Sequence, residues 1–252
     1  MFNLTLNGTD IEWLRSNYPD LTLNESEEEY AVIEGLLKFD MVFHGDGKPY
    51  VINPKEEHLK QGERIQDEYE IRIELKPSEH SNMPQVYETA DRIKSVSLKK
   101  KSELMDLHIN FSGSACICLN TKEKEFLPNG FNLADYFNNL VIPFFYAQSY
   151  FENTGKWPWG EYGHGVIGIL ESFLEYSATQ ENVEVMMVAL KKFCKRNNLN
   201  FNFYKEQLRQ KKIKGRNQCP CNSGKKWGKC HNKSLEGLRL LREHINTLAI
   251  KI

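Results

Sequence analysis

Three cysteines and a histidine constrain this chain more than any other feature. They run Cys219-Pro-Cys221, then eight residues, then Cys230-His231. Three thiolates and one imidazole complete a tetrahedral set for zinc and leave no position for water or substrate. The expected cofactor is therefore a structural zinc ion. A segment this short and polar cannot bury a core, so the metal would supply its folding free energy. Gly224, in Asn-Ser-Gly, provides a tight turn that lets the two halves meet. Six cysteines in 252 residues are too few for a disulfide scaffold. The N-terminus, MFNLTLNGTD, shows no basic region followed by an apolar stretch, so no secretory signal is expected and a reduced cytoplasm is the natural compartment. The richest apolar run, Leu140 to Ala147 with Pro143 inside it, is far short of the roughly 18 residues of a membrane span. No membrane partner is expected.

The stretch 215–232 resembles the SEC-C motif, found at the C-terminus of the bacterial preprotein translocase ATPase and in many other bacterial proteins. The resemblance rests on Gly215-Arg216-Asn217, Cys-Pro-Cys, Ser223-Gly224-Lys225-Lys226 and Cys230-His231. Gln218 stands where the family has Asp-Pro, and Asn222 where it has Gly; neither is a ligand. The resemblance implies a zinc-bound module that docks a protein.

A net charge of −1 hides an asymmetry. Residues 205–252 hold 13 Lys and Arg against 3 Asp and Glu, and residues 1–204 hold 20 against 31. An acidic body with a basic tail points to two units with different partners. The tail is suited to an acidic protein or nucleic acid, or is simply a solvated face.

The hydropathy period changes midway. Thr9-Asp10-Ile11-Glu12 reads as a capping box, with Thr9 at the N-cap of a helix ending near Asn17. Leu37 to His44 and Tyr69 to Lys76 alternate apolar and polar, which is strand period, and Gly45-Asp46-Gly47 forms a turn. A short strand is expected at Gln85–Thr89, and a less regular alternation runs from Leu107 to Leu119. Beyond that the period is helical. Asn132 caps a helix over about 133–151, kinked near Pro143, and helices follow at 165–176 and 182–195. Cys194 and the pair Met186-Met187 lie on core faces. Ser234 caps a last helix carrying Leu235, Leu238, Leu241 and Ile245 on one side. Helix, antiparallel meander, then helices is an α+β body. The expected division is a domain over 1–200, a basic linker helix over 201–214, the zinc module over 215–233 and a terminal helix over 234–252.

A second chemical feature lies at His108-Ile-Asn110-Phe-Ser-Gly113-Ser-Ala-Cys116-Ile-Cys118. A cysteine that follows a strand and a glycine turn can hold its thiol in a surface groove, where a thiolate is both nucleophile and leaving group and can carry an acyl group as a thioester. Aminolysis then needs orientation and donors to an oxyanion, such as an Asn side chain. The alternative is a pair of ordinary buried cysteines.

These residues resemble the ubiquitin-conjugating enzyme family, and more closely its bacterial relatives in antiphage operons such as the cyclic-oligonucleotide-based signalling systems (CBASS). Those relatives carry His-x-Asn-x-x-Gly-Ser-x-Cys, which His108, Asn110, Gly113, Ser114 and Cys116 match; the eukaryotic spacing selects Cys118 instead. Ile109 replaces the proline of His-Pro-Asn. Ile11-Glu-Trp13-Leu14, Ile33-Glu-Gly35-Leu36 and the stretch from Phe151 to Gly165 extend the likeness over about residues 1–180. The resemblance implies a ubiquitin-conjugating-like fold and a transferase. Its cysteine would receive the C-terminal carboxyl of a partner protein, such as a cGAS-like nucleotidyltransferase in antiviral defence, and pass it to a lysine on an acceptor protein. Asn110 would steady the loop or the oxyanion, His108 would support the turn, and activation of the acyl group would come from elsewhere.

Glu161 and His164, three residues apart in a glycine-rich loop, can point into one groove, or can belong to a loop packed by Trp157 and Trp159. Trp227 packs over the zinc module or forms an exposed contact. Lys99-Lys100-Lys101 reads as a solvated loop. There is no HExxH, Walker or dinucleotide glycine pattern. Two functional classes remain beside nucleic-acid binding at 205–233: an acyl-carrier enzyme, and a non-catalytic adaptor that grips a protein through the same fold and the zinc module.

Overall fold

A computed structural model describes residues 4–24, 30–45, 50–60, 62–77 and 82–251. It divides the chain into two units, residues 1–160 and 161–252, each with its own apolar core.

The first unit opens with helix α1, Gly8–Asn17. Asn7 is its N-cap: the Asn7 side chain accepts the Asp10 N–H, and the Asp10 carboxylate accepts the Asn7 N–H, both at 3.0 Å. The expected Thr9–Glu12 box is therefore displaced by two residues. The reason is tertiary. Buried Asp10 also accepts the N–H of Leu133 at 2.9 Å, which ties this register to the rest of the unit.

Among the described residues five strands follow: β1 Leu21–Asn24, β2 Val32–Phe43, β3 Tyr50–Ile52, β4 Glu63–Glu74 and β5 Gln85–Glu88. All pairings are antiparallel, in the order β1-β2-β4-β5, with β3 beside the far end of β2. The alternating residues land as their period requires. Ile33 lies opposite Ile73 and Leu37 opposite Tyr69 on the buried face, whereas Lys38 and Glu68 face outward. Gly45 has the positive φ of a turn residue; Asp46 and Gly47 lie outside the described residues.

Helices α2 Arg92–Lys100, α3 Glu123–Phe126, α4 Leu133–Tyr136 and α5 Ile142–Thr154 complete this unit. Asn132 caps α4 as expected, accepting the Asp135 N–H at 2.8 Å. The expected kink takes the form of a π-turn at Phe137–Val141, with the Ile142 N–H bonded to the Phe137 carbonyl. A wider turn just ahead of Pro143 relieves the clash of its ring with the preceding carbonyls. α5 lies on the buried face of the sheet, with the Phe145 ring 4.7 Å from that of Tyr69. A polar clamp closes the same region. Arg92 donates to both Asp67 oxygens at 2.9 and 2.7 Å and to Glu152 at 2.9 Å, and the Ser149 hydroxyl donates to Asp67 at 2.6 Å. Burial alone would raise the Asp67 carboxyl, but Arg92 and Ser149 outweigh it and hold the group below the usual carboxylate range.

The alternation from Leu107 to Leu119 does not form a strand. A 3₁₀ turn at Leu104–Leu107 leads into a loop that meets the sheet through one bond, from the Ala115 N–H to the Val86 carbonyl of β5 at 2.7 Å.

The second unit is helical: α6 Val166–Ser172, α7 Gln180–Arg196, α8 Phe201–Arg209, α9 Trp227–Cys230 and α10 Asn232–Thr247. One core runs through it, from Leu170, Phe173 and Leu190 to Cys194, Trp227, Leu238 and Leu241. The expected boundary at residue 200 thus falls inside this unit, because the amphipathic faces of α6 and α7 are covered by the elements that follow them. The stretch 201–214 is likewise no linker, since Tyr204 and Leu208 of α8 and Ile213 are core residues. α10 starts before residue 234. Ser234 is not its cap but a fully buried partner, accepting the Trp227 indole N–H at 2.7 Å. Gly237 sits where α10 crosses α6 so closely that a Cβ would lie 1.8 Å from the Leu170 carbonyl oxygen.

The chain is a mixed α+β protein with an antiparallel sheet and flanking helices. No helix among the described residues is long and apolar enough to cross a membrane.

Candidate functional site

The metal-type cluster is preformed. The Sγ atoms of Cys219, Cys221 and Cys230 and a ring nitrogen of His231 all lie within 4.8 Å of one another. Cys221 and Cys230 are 3.6 Å apart, and Cys219 is 3.2 Å from His231 Nδ1. Metal–sulfur bonds of about 2.3 Å at tetrahedral angles place sulfurs about 3.8 Å apart. The Cys221–Cys230 pair is within a few tenths of an ångström of that edge, and the four donor atoms lie close enough together for the set to fit a metal ion.

Local structure explains the fit. Asn217 and Trp227 are joined backbone to backbone, as are Cys219 and Lys225, at 2.8 and 2.9 Å. Gly224 has φ +72 at the turn between them, as its place in Asn-Ser-Gly suggests. The one-turn helix α9 then delivers Cys230 and His231, whose N–H donates to the Trp227 carbonyl at 2.9 Å. Trp227 is fully buried and stacks on Phe203, so it anchors the loop and offers no exposed contact. Burial pushes the Cys219 thiol up to about 12. Burial also opposes ionisation of exposed Cys221, but the hydroxyl and backbone N–H of Ser223, with Cys219 and Cys230, bring it down to about 6.

The other candidate is the loop His108–Cys118 in the first unit. The Asn110 and Ser114 backbones pair at 2.8 Å, the Gly113 N–H donates to the Asn110 carbonyl at 2.9 Å, and the Cys116 N–H donates to the His108 carbonyl at 2.7 Å. A tight hairpin results, with Phe111 at its tip, 93% exposed. The Asn110 side chain donates to the Ser114 hydroxyl at 3.2 Å. His108 has φ +55, and its ring meets that of Trp157 edge to face at 5.1 Å. Two anchors were not foreseen from the sequence: the Val86 carbonyl that receives the Ala115 N–H, and buried Gln148 of α5, whose side chain donates to the Leu107 carbonyl at 2.8 Å. A Gln amid the apolar run of α5 was the available signal.

Cys116 and Cys118 lie in a loop rather than on a strand. Cys118 packs against the core of the first unit, and its thiol donates to the Leu119 carbonyl at 3.1 Å. Cys116 is half-buried beyond the hairpin. Burial pushes the Cys116 thiol up. Burial raises Cys118 further, reinforced by Glu123, by Cys116 and by Glu125. Glu161 and His164 are exposed residues of the second unit, in the loop before α6. That loop is bound to its own helix through the Gly163 N–H and the Glu171 carboxylate at 2.7 Å. Lys99 and Lys100 form the last turn of α2 rather than a loop, with Lys101 as its C-cap, and all three are exposed; Cys194 and Met186 are buried, and Met187 packs against the core.

A profile of the SEC-C motif family matches residues 216–233. No curated protein and no solved structure matches the chain.

Proposed function

We propose that the first unit is an acyl carrier of the ubiquitin-conjugating type, and that the second is built around a structural zinc ion held by Cys219, Cys221, Cys230 and His231. The observation that carries the catalytic part is the hairpin at 108–116. Its backbone bonds hold Cys116 at the base of the hairpin, beside the last strand of an antiparallel meander, while exposed Phe111 at the tip can meet a polypeptide. The Cys116 thiolate would attack a partner's activated C-terminal acyl group, expelling the activating group and forming the thioester. A lysine amine would then attack that carbonyl, expelling the Cys116 thiolate and forming the amide. The Asn110 amide is held by Ser114 within the hairpin, so it can brace the loop or be recruited to the oxyanion. The raised thiol sets a condition: little thiolate exists at neutral pH, so the donor complex must supply a base. Once formed, a thiolate of higher pKa is the stronger nucleophile. Zinc suits the S₃N donor set and the closed coordination of the cluster. The partner in this reading is a cGAS-like nucleotidyltransferase of an antiphage operon.

The same raised thiols favour a second reading, a non-catalytic adaptor that grips a protein through the hairpin and the zinc module. One experiment separates them. The chain is co-expressed with its operon neighbours and its intact mass is read without reductant for wild type, Cys116→Ser and Cys118→Ser. A thiol-labile protein adduct lost in Cys116→Ser alone supports the carrier. Loss in Cys118→Ser alone moves the site. With no adduct in any sample, zinc bound and complex formation intact, the adaptor replaces the carrier.

A further inference from the structure

Six cations of the first unit are neutralised by a nearby acid, and those of one stretch of the second unit are not. In the first unit Lys38, Arg64, Arg72, Lys76, Arg92 and Lys122 each lie within 4.0 Å of a carboxylate. Residues 205–233 of the second unit hold ten Lys and Arg against one acid, Glu206. Among the described residues, Lys211, Lys212, Lys214, Arg216, Lys226 and Lys229 are exposed and none has an ion pair.

The fold concentrates these charges. The Gly228 N–H donates to the Gly215 carbonyl at 2.9 Å, and a Cβ on either glycine would lie 3.3 Å from the Cα of the other. Side chains at either position would force the two backbones apart by a few tenths of an ångström. The contact sets Lys214 and Arg216 beside Lys226 and Lys229. From α10, Arg239 donates to the Ile213 carbonyl, and Arg242 to the carbonyls of Gln210 and Lys211. Two more cations are thereby held at the same loop by neutral acceptors, and their charge remains uncompensated. Three thiolates around a divalent ion return only about one negative charge.

We propose that this face of the second unit binds the phosphate backbone of double-stranded nucleic acid without regard to sequence. Three features select that partner. The chain as a whole carries a net charge of −1, so attraction to a polyanion must be local. A protein partner is gripped through buried aromatic or aliphatic anchors, and among the described residues of 205–233 no large apolar side chain is exposed. Single strands are held by stacking bases on aromatic rings, and Trp227 is sealed in the core. What remains is an array of unpaired charges on a fixed backbone frame, the recognition mode suited to a duplex backbone.

The test uses the full, zinc-loaded chain and a fluorescein-labelled mixed-sequence duplex of about 20 bp, read by anisotropy across salt. About five phosphate contacts predict a slope of about −4.5 in log K against log salt, or roughly 500-fold weaker binding between 50 and 200 mM. The triple variant Lys214→Glu/Lys226→Glu/Lys229→Glu removes side chains that make no internal bonds, so its zinc content and circular dichroism should match wild type. Its slope should fall by about 3. Lys99→Glu/Lys100→Glu/Lys101→Glu, in the first unit, should bind as wild type. No duplex binding at low salt, an unchanged triple variant, or equal loss in the first-unit variant overturns the proposal. Tighter binding to polyglutamate of matched charge also overturns it, in favour of an acidic protein.

Discussion

Replacing Gly237 by alanine sets two effects of opposite sign against each other. Alanine is the better helix former by about 1 kcal/mol, so propensity alone predicts a more stable α10. Packing predicts the reverse. The new Cβ would stand 1.8 Å from the Leu170 carbonyl oxygen and 2.7 Å from its carbon. A relaxed contact needs about 3.5 Å, so α10 must retreat from α6 by about 1.7 Å. A gap of even 0.5–1 Å forfeits a quarter to a half of the dispersion well for each pair it separates. The pairs separated include those of Leu170, Leu238 and Leu241, all fully buried. Overpacking of this kind costs about 3 kcal/mol or more, and the net loss is about 2 to 3 kcal/mol. At about 4–8 °C per kcal/mol, the second unit should melt some 10–20 °C lower. The assay is urea unfolding followed by helical circular dichroism, with metal release to a chromogenic chelator as a probe confined to that unit. A variant as stable as wild type, or more stable, would refute the close crossing of α6 and α10.

Three further outcomes are expected. Stripping the metal at neutral pH should melt α6, α7, α8 and α10 together, because the free energy of structural metal binding, about 10–16 kcal/mol in zinc fingers, matches or exceeds the stability of a whole domain; the same helical signal with and without chelator would contradict this. Asp67→Asn should destabilise the first unit by about 2 kcal/mol at pH 7 by breaking the bidentate pair with Arg92. Its folded carboxyl is depressed, so the stabilisation is complete above the unfolded value near 4 and is lost as pH falls through the folded one. Wild type and variant should therefore draw together as pH falls below about 4, and a difference that stays constant as pH is lowered through the acid range would remove the ionic explanation. Gln148→Leu strands the Leu107 carbonyl and should cost about 1–3 kcal/mol; it should also speed alkylation of Cys116 more than that of Cys194, and equal acceleration at both would mean that the loop is not held by this bond.

Where sequence and structure agree, local chemistry alone decides. Alternation from Leu37 and from Tyr69 can bury only one face of a strand, and Asn132 has an acid three residues on. The four ligands fall on a turn that their own Asn-Ser-Gly dictates. They part where two local options are nearly equal and a distant group chooses. Asn7 with Asp10 and Thr9 with Glu12 are both capping pairs, and the Leu133 N–H selects the first. Ser234 has the composition of a cap, but the Trp227 indole claims its hydroxyl. The apolar faces of α6 and α7 announce that something covers them without saying that it is α10 rather than the sheet. For the segment 107–119, irregular alternation is what one bond to an edge strand produces.

Trp227 lies in the same core as α6 and α7, so if the proposed metal closes the loop, losing it would open the packing of the whole second unit. In a cell short of the ion, newly made chains would carry a second unit unable to close, and unfolded segments are what proteases remove. The abundance of the protein would then follow the metal supply without any dedicated sensor, and the acidic first unit would be withdrawn along with the basic second one.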